Sequence, residues 1–277
     1  LIQTLTRTVR RLSAFSAVSD FHMEGLEKSF GRPGSPWEAP RFTLKNGLQV
    51  VVTGQIDRID TLRQGDHKYV VIIDYKSGRK QLDISQIFTG LELQLLTYMF
   101  VALLNIGGDA IPAAALYCYV RNDKVSLEYR VSEEDKKKLY DAKGKLTGFY
   151  LDDGQVMQQL DTSMQGFSDF LNLRLRKDGT LSDSSHTLYN EAGWSHLLDW
   201  AARQIRDIAG HIGDGDISIH PILMGQQAPC SYCPYRPVCR FDVAVAGNTY
   251  DAAGREDTDE MIQKMFDEGD DEHGLDE

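Results

Sequence analysis

An α/β fold is predicted, a mixed sheet core flanked by helices, and three observations predict it. Two apolar, β-branched runs at about 48–60 and 68–76 have strand length, and an amphipathic helical pattern follows over about 85–105. A further apolar run at about 113–121 then returns to strand character, and strand, strand, helix, strand is the order of a mixed α/β sheet. With 42% apolar residues in 277, the chain can bury one large core with an appendage.

Taken in order, the chain opens with a helix over about 1–19 and a Gly/Pro-rich link from Gly31 to Pro40. Strands at about 41–45, 48–60 and 68–76 precede the helix at about 85–105, and strands at about 113–121 and 125–131 follow it. Ser132-Glu133-Glu134-Asp135 is a helix-start signal, an N-cap serine with acids in the first turn. From Leu151 to Asp183 the chain turns polar, with Lys177-Asp178-Gly179 as a turn. An amphipathic helix is expected over about 190–212, with Trp194, Leu197, Leu198, Ala201, Ile205 and Ile208 on its core face. These elements divide the chain into a helical lead-in (1–40), a core (41–150), a helical extension with a cysteine cluster (151–242) and a mobile acidic tail (243–277).

Charge and hydropathy narrow the function classes. The apolar stretch from Leu91 to Ile106 is interrupted by Glu92, Gln94, Thr97, Tyr98 and Asn105, so it lacks the roughly 18 apolar residues of a membrane span. The net charge of -11 is concentrated at the end: from Asp251 on there are twelve acids and two bases, leaving 28 bases against 29 acids elsewhere. Such a tail is expected to be solvated. The body is close to neutral, so DNA binding is not excluded.

The densest chemical signal is Ile73-Asp74-Tyr75-Lys76-Ser77-Gly78, preceded by Gly54-Gln55-Ile56-Asp57. Alternation along a strand puts Asp74 and Lys76 on one face and Tyr75 on the other, and the preceding strand can bring Asp57 alongside. An Asp-x-Lys tripeptide also serves as a plain same-face ion pair. Here it closes a buried apolar strand, where an uncompensated charge is costly. Phosphodiester cleavage calls for hard cations, held by a few carboxylates, that neutralise phosphoryl charge and activate water. Asp57 and Asp74 meet that need, the backbone carbonyl of Tyr75 can add a ligand, and Lys76 supplies a compact positive charge. Gln94 and Tyr98, four apart, share a face of the following helix.

A second signal is Cys230-Ser231-Tyr232-Cys233-Pro234-Tyr235-Arg236-Pro237-Val238-Cys239. Three thiolates in a proline-rich loop suit a metal, but leave tetrahedral zinc or a four-iron cluster one ligand short. Cys118, in the middle of an apolar strand, reads as core. A disulfide framework is the alternative, although four cysteines are few for a chain of this length.

These motifs, in this order and spacing, resemble the RecB-like branch of the PD-(D/E)XK nucleases. The cysteine spacing beside Arg240-Phe241-Asp242 resembles the C-terminal staple of AddB-type helicase-nuclease subunits. The resemblance implies a restriction-endonuclease-like sheet core with a C-terminal cysteine loop. It implies Mg2+ or Mn2+ bound by Asp57, Asp74 and Tyr75, with Lys76, Gln94 and Tyr98 in the catalytic set. It implies a 4Fe-4S cluster on Cys230, Cys233 and Cys239, the fourth ligand and an upstream metal ligand lying outside this chain, which opens on Leu1. Glu27 resembles the strand-side glutamate that precedes such cores.

The implied role is a DNA exonuclease module in double-strand break repair and recombination, acting in the cytoplasm. Its implied partners are a single-stranded DNA end and an AddA-type helicase-nuclease subunit, with ATP handled by the partner or by other domains and no membrane involved. Arg58, Arg79 and Lys80 are the expected strand contacts. Two alternatives stand beside this reading: a non-catalytic DNA-binding scaffold with the same fold, and a stand-alone RecB-like or Cas4-like exonuclease.

Overall fold

A computed structural model describes residues 2–78, 83–120, 132, 144–182, 186–224, 228–251 and 257–270. In chain order the elements are α1 (Ile2–Ala17), β1 (His22–Phe30), β2 (Arg41–Thr43), β3 (Gln49–Val51), β4 (Gly54–Gln64), β5 (His67–Lys76), α2 (Ile84–Phe88) and α3 (Gln94–Ile106). They continue with β6 (Ala110–Tyr119), β7 (Thr147–Leu151), α4 (Gly154–Leu160), β8 (Arg174–Leu175), β9 (Leu181–Ser182), β10 (Leu188–Tyr189) and α5 (Glu191–Gly213). A 3-10 turn (Pro229–Ser231), α6 (Arg236–Cys239) and α7 (Thr258–Asp270) close the described chain.

Two compact units result, and the first (1–40, 51–82 and 95–195) contains the main sheet. Val70, Val71, Ile72 and Ile73 are completely buried, which makes β5 a central strand of β-branched residues, as its unbroken apolar run predicts. The strand order is β1-β4-β5-β6-β7-β10. The β1–β4, β4–β5 and β6–β7 pairs are antiparallel, and β5–β6 and β7–β10 are parallel. The mixed α/β sheet expected from the element order is therefore present. Phe15 of α1 is buried and lies 5.8 Å from the Phe170 ring, while Ile56, Ile59, Phe149, Tyr150 and Trp194 fill the core. The buried Tyr150 hydroxyl donates to the Leu146 carbonyl at 2.7 Å and accepts from Asn172 N at 3.2 Å, so its polar tip is satisfied.

In the second unit (41–50, 83–94 and 196–277) α2 is held by the later helices. Asp83 caps α2 by accepting from Ser85 N at 3.0 Å. Trp200 stacks on Phe88 at 5.2 Å and donates to the Ile87 carbonyl at 3.2 Å.

Three expectations are corrected. The single helix at 85–105 is two helices, because Gly90 at φ 73 terminates α2 and the N–H groups of Leu91 and Glu92 fold back onto the Gln86 carbonyl. The run at 48–60 breaks between β3 and β4. The segment 243–277, expected to be a mobile tail, contains α7, whose Met261 and Met265 are buried and whose Phe266 stacks on His196 at 4.8 Å. Acids dominate the composition there, but the two methionines at i, i+4 supply an apolar face. The expected strand at 125–131 and the helix after Ser132 lie outside the described residues.

Candidate active site

The β4–β5 ladder runs from Gln64↔His67 to Arg58↔Ile73 and stops there. One step further, the same register would set Asp57 opposite Asp74. The Asp57 side chain takes over where the ladder ends: its Oδ2 accepts from Tyr75 N at 2.8 Å. On the other side β5 stays paired, with Asp74↔Tyr117, Tyr75↔Cys118 and Lys76↔Tyr119. The end of β5 is therefore held to β6 by backbone and to β4 by a carboxylate.

Asp74 is 2% exposed, and its Oδ2 forms an ion pair with Lys76 Nζ at 2.7 Å. Lys76 keeps about a fifth of its side chain accessible and places its ammonium 5.5 Å from the centre of the Tyr117 ring. Carboxylates directly opposite one another on a sheet repel. Here each is compensated separately, Asp57 by a backbone N–H and Asp74 by an ammonium. That donor set also fits a divalent ion, since magnesium takes one or two protein carboxylates with water and substrate oxygens. Asp57, Asp74, Tyr75 and Lys76 are thus brought to one strand end.

Other expected residues are placed differently. Gln94 opens α3 as the last residue of the second unit's segment, and Tyr98, one turn on, belongs to the first unit, where its ring meets Phe30 edge-on at 6.0 Å. Arg58, expected to contact DNA, is buried: Nε donates to both Asp60 oxygens at 2.8 and 3.1 Å, and Nη2 donates to Asp60 Oδ2 at 2.8 Å. Its neighbour Asp57 points to the other face, which is what alternation requires of adjacent strand residues. Arg79 and Lys80 lie outside the described residues. Glu27, in the left-handed region at φ 51, hydrogen-bonds Gln55 Nε2. Sequence reading missed the pairing of Arg58 with Asp60, although Asp57-Arg58-Ile59-Asp60 on a strand puts those two on a common face.

The cysteines fall into two environments. Cys118 is buried in β6, and burial pushes its thiol up to about 11. Cys230 sits on the 3-10 turn and, like Cys233, is half-buried, while Cys239 ends α6 and is exposed. All four are free thiols. Among the described residues no group of three or more His, Cys, Asp or Glu is gathered so as to hold a metal ion. The three loop cysteines as placed therefore do not form the expected cluster cradle. Among the described residues no helix is long and apolar enough to cross a membrane.

Residues 2–240 match the family model of the PD-(D/E)XK nuclease superfamily. The chain is 34% identical over 271 residues to the B-type subunit of an ATP-dependent helicase/deoxyribonuclease of Pelotomaculum thermopropionicum, covering 94% of this chain and 23% of that protein. It is 35% identical over 260 residues to the corresponding protein of Moorella thermoacetica, covering 92% of this chain and 22% of that protein. For the corresponding protein of Listeria innocua the figures are 31% over 277 residues, 97% and 24%. The chain thus spans about a quarter of the length of these relatives.

Proposed function

This chain belongs to the PD-(D/E)XK nuclease superfamily, and from that membership we propose that it is the deoxyribonuclease module of a helicase-nuclease complex that processes DNA ends. The observation that carries the reading is the convergence of Asp57, Asp74 and Lys76 where the β4–β5 ladder opens.

In this reading Asp57, Asp74 and the Tyr75 carbonyl hold Mg2+ or Mn2+. When bound, such an ion neutralises phosphoryl charge and lowers the pKa of an attacking water. The chain's own groups do the rest. Asp57 is pre-oriented by the Tyr75 N–H. Lys76, already ion-paired with Asp74, is the group that orients the water and follows the charge developing on the phosphate. Gln94 and Tyr98 on α3 contribute contacts to the strand being cut.

Three further parts of the proposal rest on the kinship with these helicase/deoxyribonuclease proteins. Cys230, Cys233 and Cys239, which as placed form no cradle, would have to draw together with a further ligand to hold a 4Fe-4S cluster. An AddA-type helicase-nuclease subunit is the partner, and ATP is used there or in other parts of the protein. The site of action is the cytoplasm.

The test is digestion of a linear single-stranded oligonucleotide with Mg2+ or Mn2+. Cleavage is expected, and Asp74→Ala is expected to abolish it. Equal rates in the two proteins would overturn the nuclease reading and leave the non-catalytic scaffold.

A further inference from the structure

At the end of β5 the Lys76 ammonium meets both a carboxylate and an aromatic ring. Asp74 Oδ2 lies 2.7 Å from Lys76 Nζ, and the centre of the Tyr117 ring lies 5.5 Å from the same nitrogen. That is within the roughly 6 Å over which a ring face attracts a cation, and the attraction gains from desolvation, the Lys76 side chain being only 22% exposed. Asp74↔Tyr117 and Lys76↔Tyr119 belong to one parallel ladder, so these four side chains leave the same face of the sheet. The two tyrosine rings lie 6.2 Å apart.

Tyr117 is a fixed platform. Its side chain is completely buried, and its backbone pairs on one side with Asp74 of β5 and on the other with Thr147 of β7. From Ala110 to Leu116 β6 holds only alanine, isoleucine, proline and leucine. It turns aromatic at the two positions abreast of Asp74 and Lys76. The Asp74 carboxylate, by contrast, is a contested partner. In the proposed site it also holds a divalent ion, and a second cation there weakens the pull of the carboxylate on the ammonium and repels it. The attraction of the Tyr117 ring face does not depend on that carboxylate.

We propose that Tyr117 is the positioning residue for Lys76: its ring face keeps the ammonium at the strand end when a divalent ion engages Asp74. The inference rests on the metal-dependent nuclease reading of that site. Tyr117 acts through Lys76 and not on the substrate, and the acting group is the ring rather than the hydroxyl.

The experiment uses the whole chain carrying lysine labelled with carbon-13 at Cε, with Mg2+ as the probe. The Lys76 signal is assigned by its loss in Lys76→Arg. Protons over an aromatic face resonate upfield, so the Lys76 Cε protons are expected upfield of the other lysines and are expected to stay there at saturating Mg2+. Tyr117→Phe is expected to keep that shift and Tyr117→Leu to lose it. In cleavage of single-stranded DNA, Tyr117→Leu is expected to lower kcat by about 3-fold to 30-fold with KM unchanged, the range that a cation over a ring accounts for. Tyr117→Phe is expected to match wild type.

If Tyr117→Leu does not fold, the wild-type spectrum and Tyr117→Phe decide. A Lys76 signal that lies among the other lysines, or moves there when Mg2+ is added, overturns the positioning role. So does wild-type kcat in folded Tyr117→Leu, or a loss of kcat in Tyr117→Phe of about 3-fold or more, which would assign the effect to the hydroxyl. A different result sinks the nuclease reading and takes the proposal with it: no Mg2+ binding by the wild type in titration calorimetry, or cleavage by Asp74→Ala at the wild-type rate.

Discussion

Cys118 and Cys239 show how one residue type is set by its surroundings. Cys118 is 5% exposed and burial pushes its thiol up to about 11, whereas Cys239 is exposed. Iodoacetamide at pH 8 is therefore expected to label the loop cysteines and to spare Cys118 until urea unfolds the chain; labelling of Cys118 in the folded state would refute its burial. The same shift has a pH consequence. A thiol whose folded pKa is raised contributes stability that is complete below the unfolded value near 9 and is lost as pH climbs toward 11. At about 1.4 kcal/mol per unit, wild type is expected to lose roughly 2 to 3 kcal/mol across that interval relative to Cys118→Ala, measured by urea unfolding. At this scale most of the strand end was legible, because period-2 alternation alone puts Asp74 with Lys76 and sends Tyr75 away. Arg58 was misjudged by counting its distance along the chain from Asp57 instead of applying that same alternation. Gln94 and Tyr98 were legible as a helical pair, but a helix pattern carries no information on which neighbour each side chain meets.

Elements were legible where burial is uniform and obscure where they are short. β5 and β6 could be read because each is a long apolar run, while β7 and β10 are five and two residues long and depend on partners distant in sequence. β7 also contains Gly148, which looks like a strand weakness until its surroundings are seen: a Cβ there would come 1.9 Å from the Ala115 carbonyl oxygen of β6. Backbone in the middle of a sheet cannot step aside. Gly148→Ala is expected to cost about 3 kcal/mol or more, at or beyond the upper end for overpacking, and an unchanged urea midpoint would show that β6 and β7 are not so closely apposed. The helix α7 is the opposite case, hidden in a run of acids. Met265 is fully buried, so Met265→Ala is expected to destabilise by about 2 to 5 kcal/mol, whereas the same change in a solvated tail would cost almost nothing. Its acids are not at odds with helix formation, since Asp259 and Glu260 lie in the first turn, where the helix dipole favours negative charge.

Over the whole molecule, the charge of -11 and the proposed DNA substrate pull in opposite directions, and the distribution of that charge decides how strongly. The 250 residues before Asp251 are close to neutral, so repulsion of a DNA strand comes chiefly from the acids at the end of the chain. Met261 and Met265 lie within α7, so truncation after Asp270 removes Asp271, Glu272, Asp276 and Glu277 while leaving the buried face of that helix whole. The truncated protein is expected to keep its urea midpoint and its cleavage rate at saturating DNA. Its affinity for a single-stranded oligonucleotide at low salt is expected to rise by roughly twofold to fivefold, under about 1 kcal/mol. That gain is expected to vanish as salt rises through the range where the screening length falls from about 8 Å to about 3 Å, since the acids act through space on a polyanion and not by touching it. A gain of the same size at every salt concentration, measured by fluorescence anisotropy, would mean that the removed residues occupy the DNA site directly.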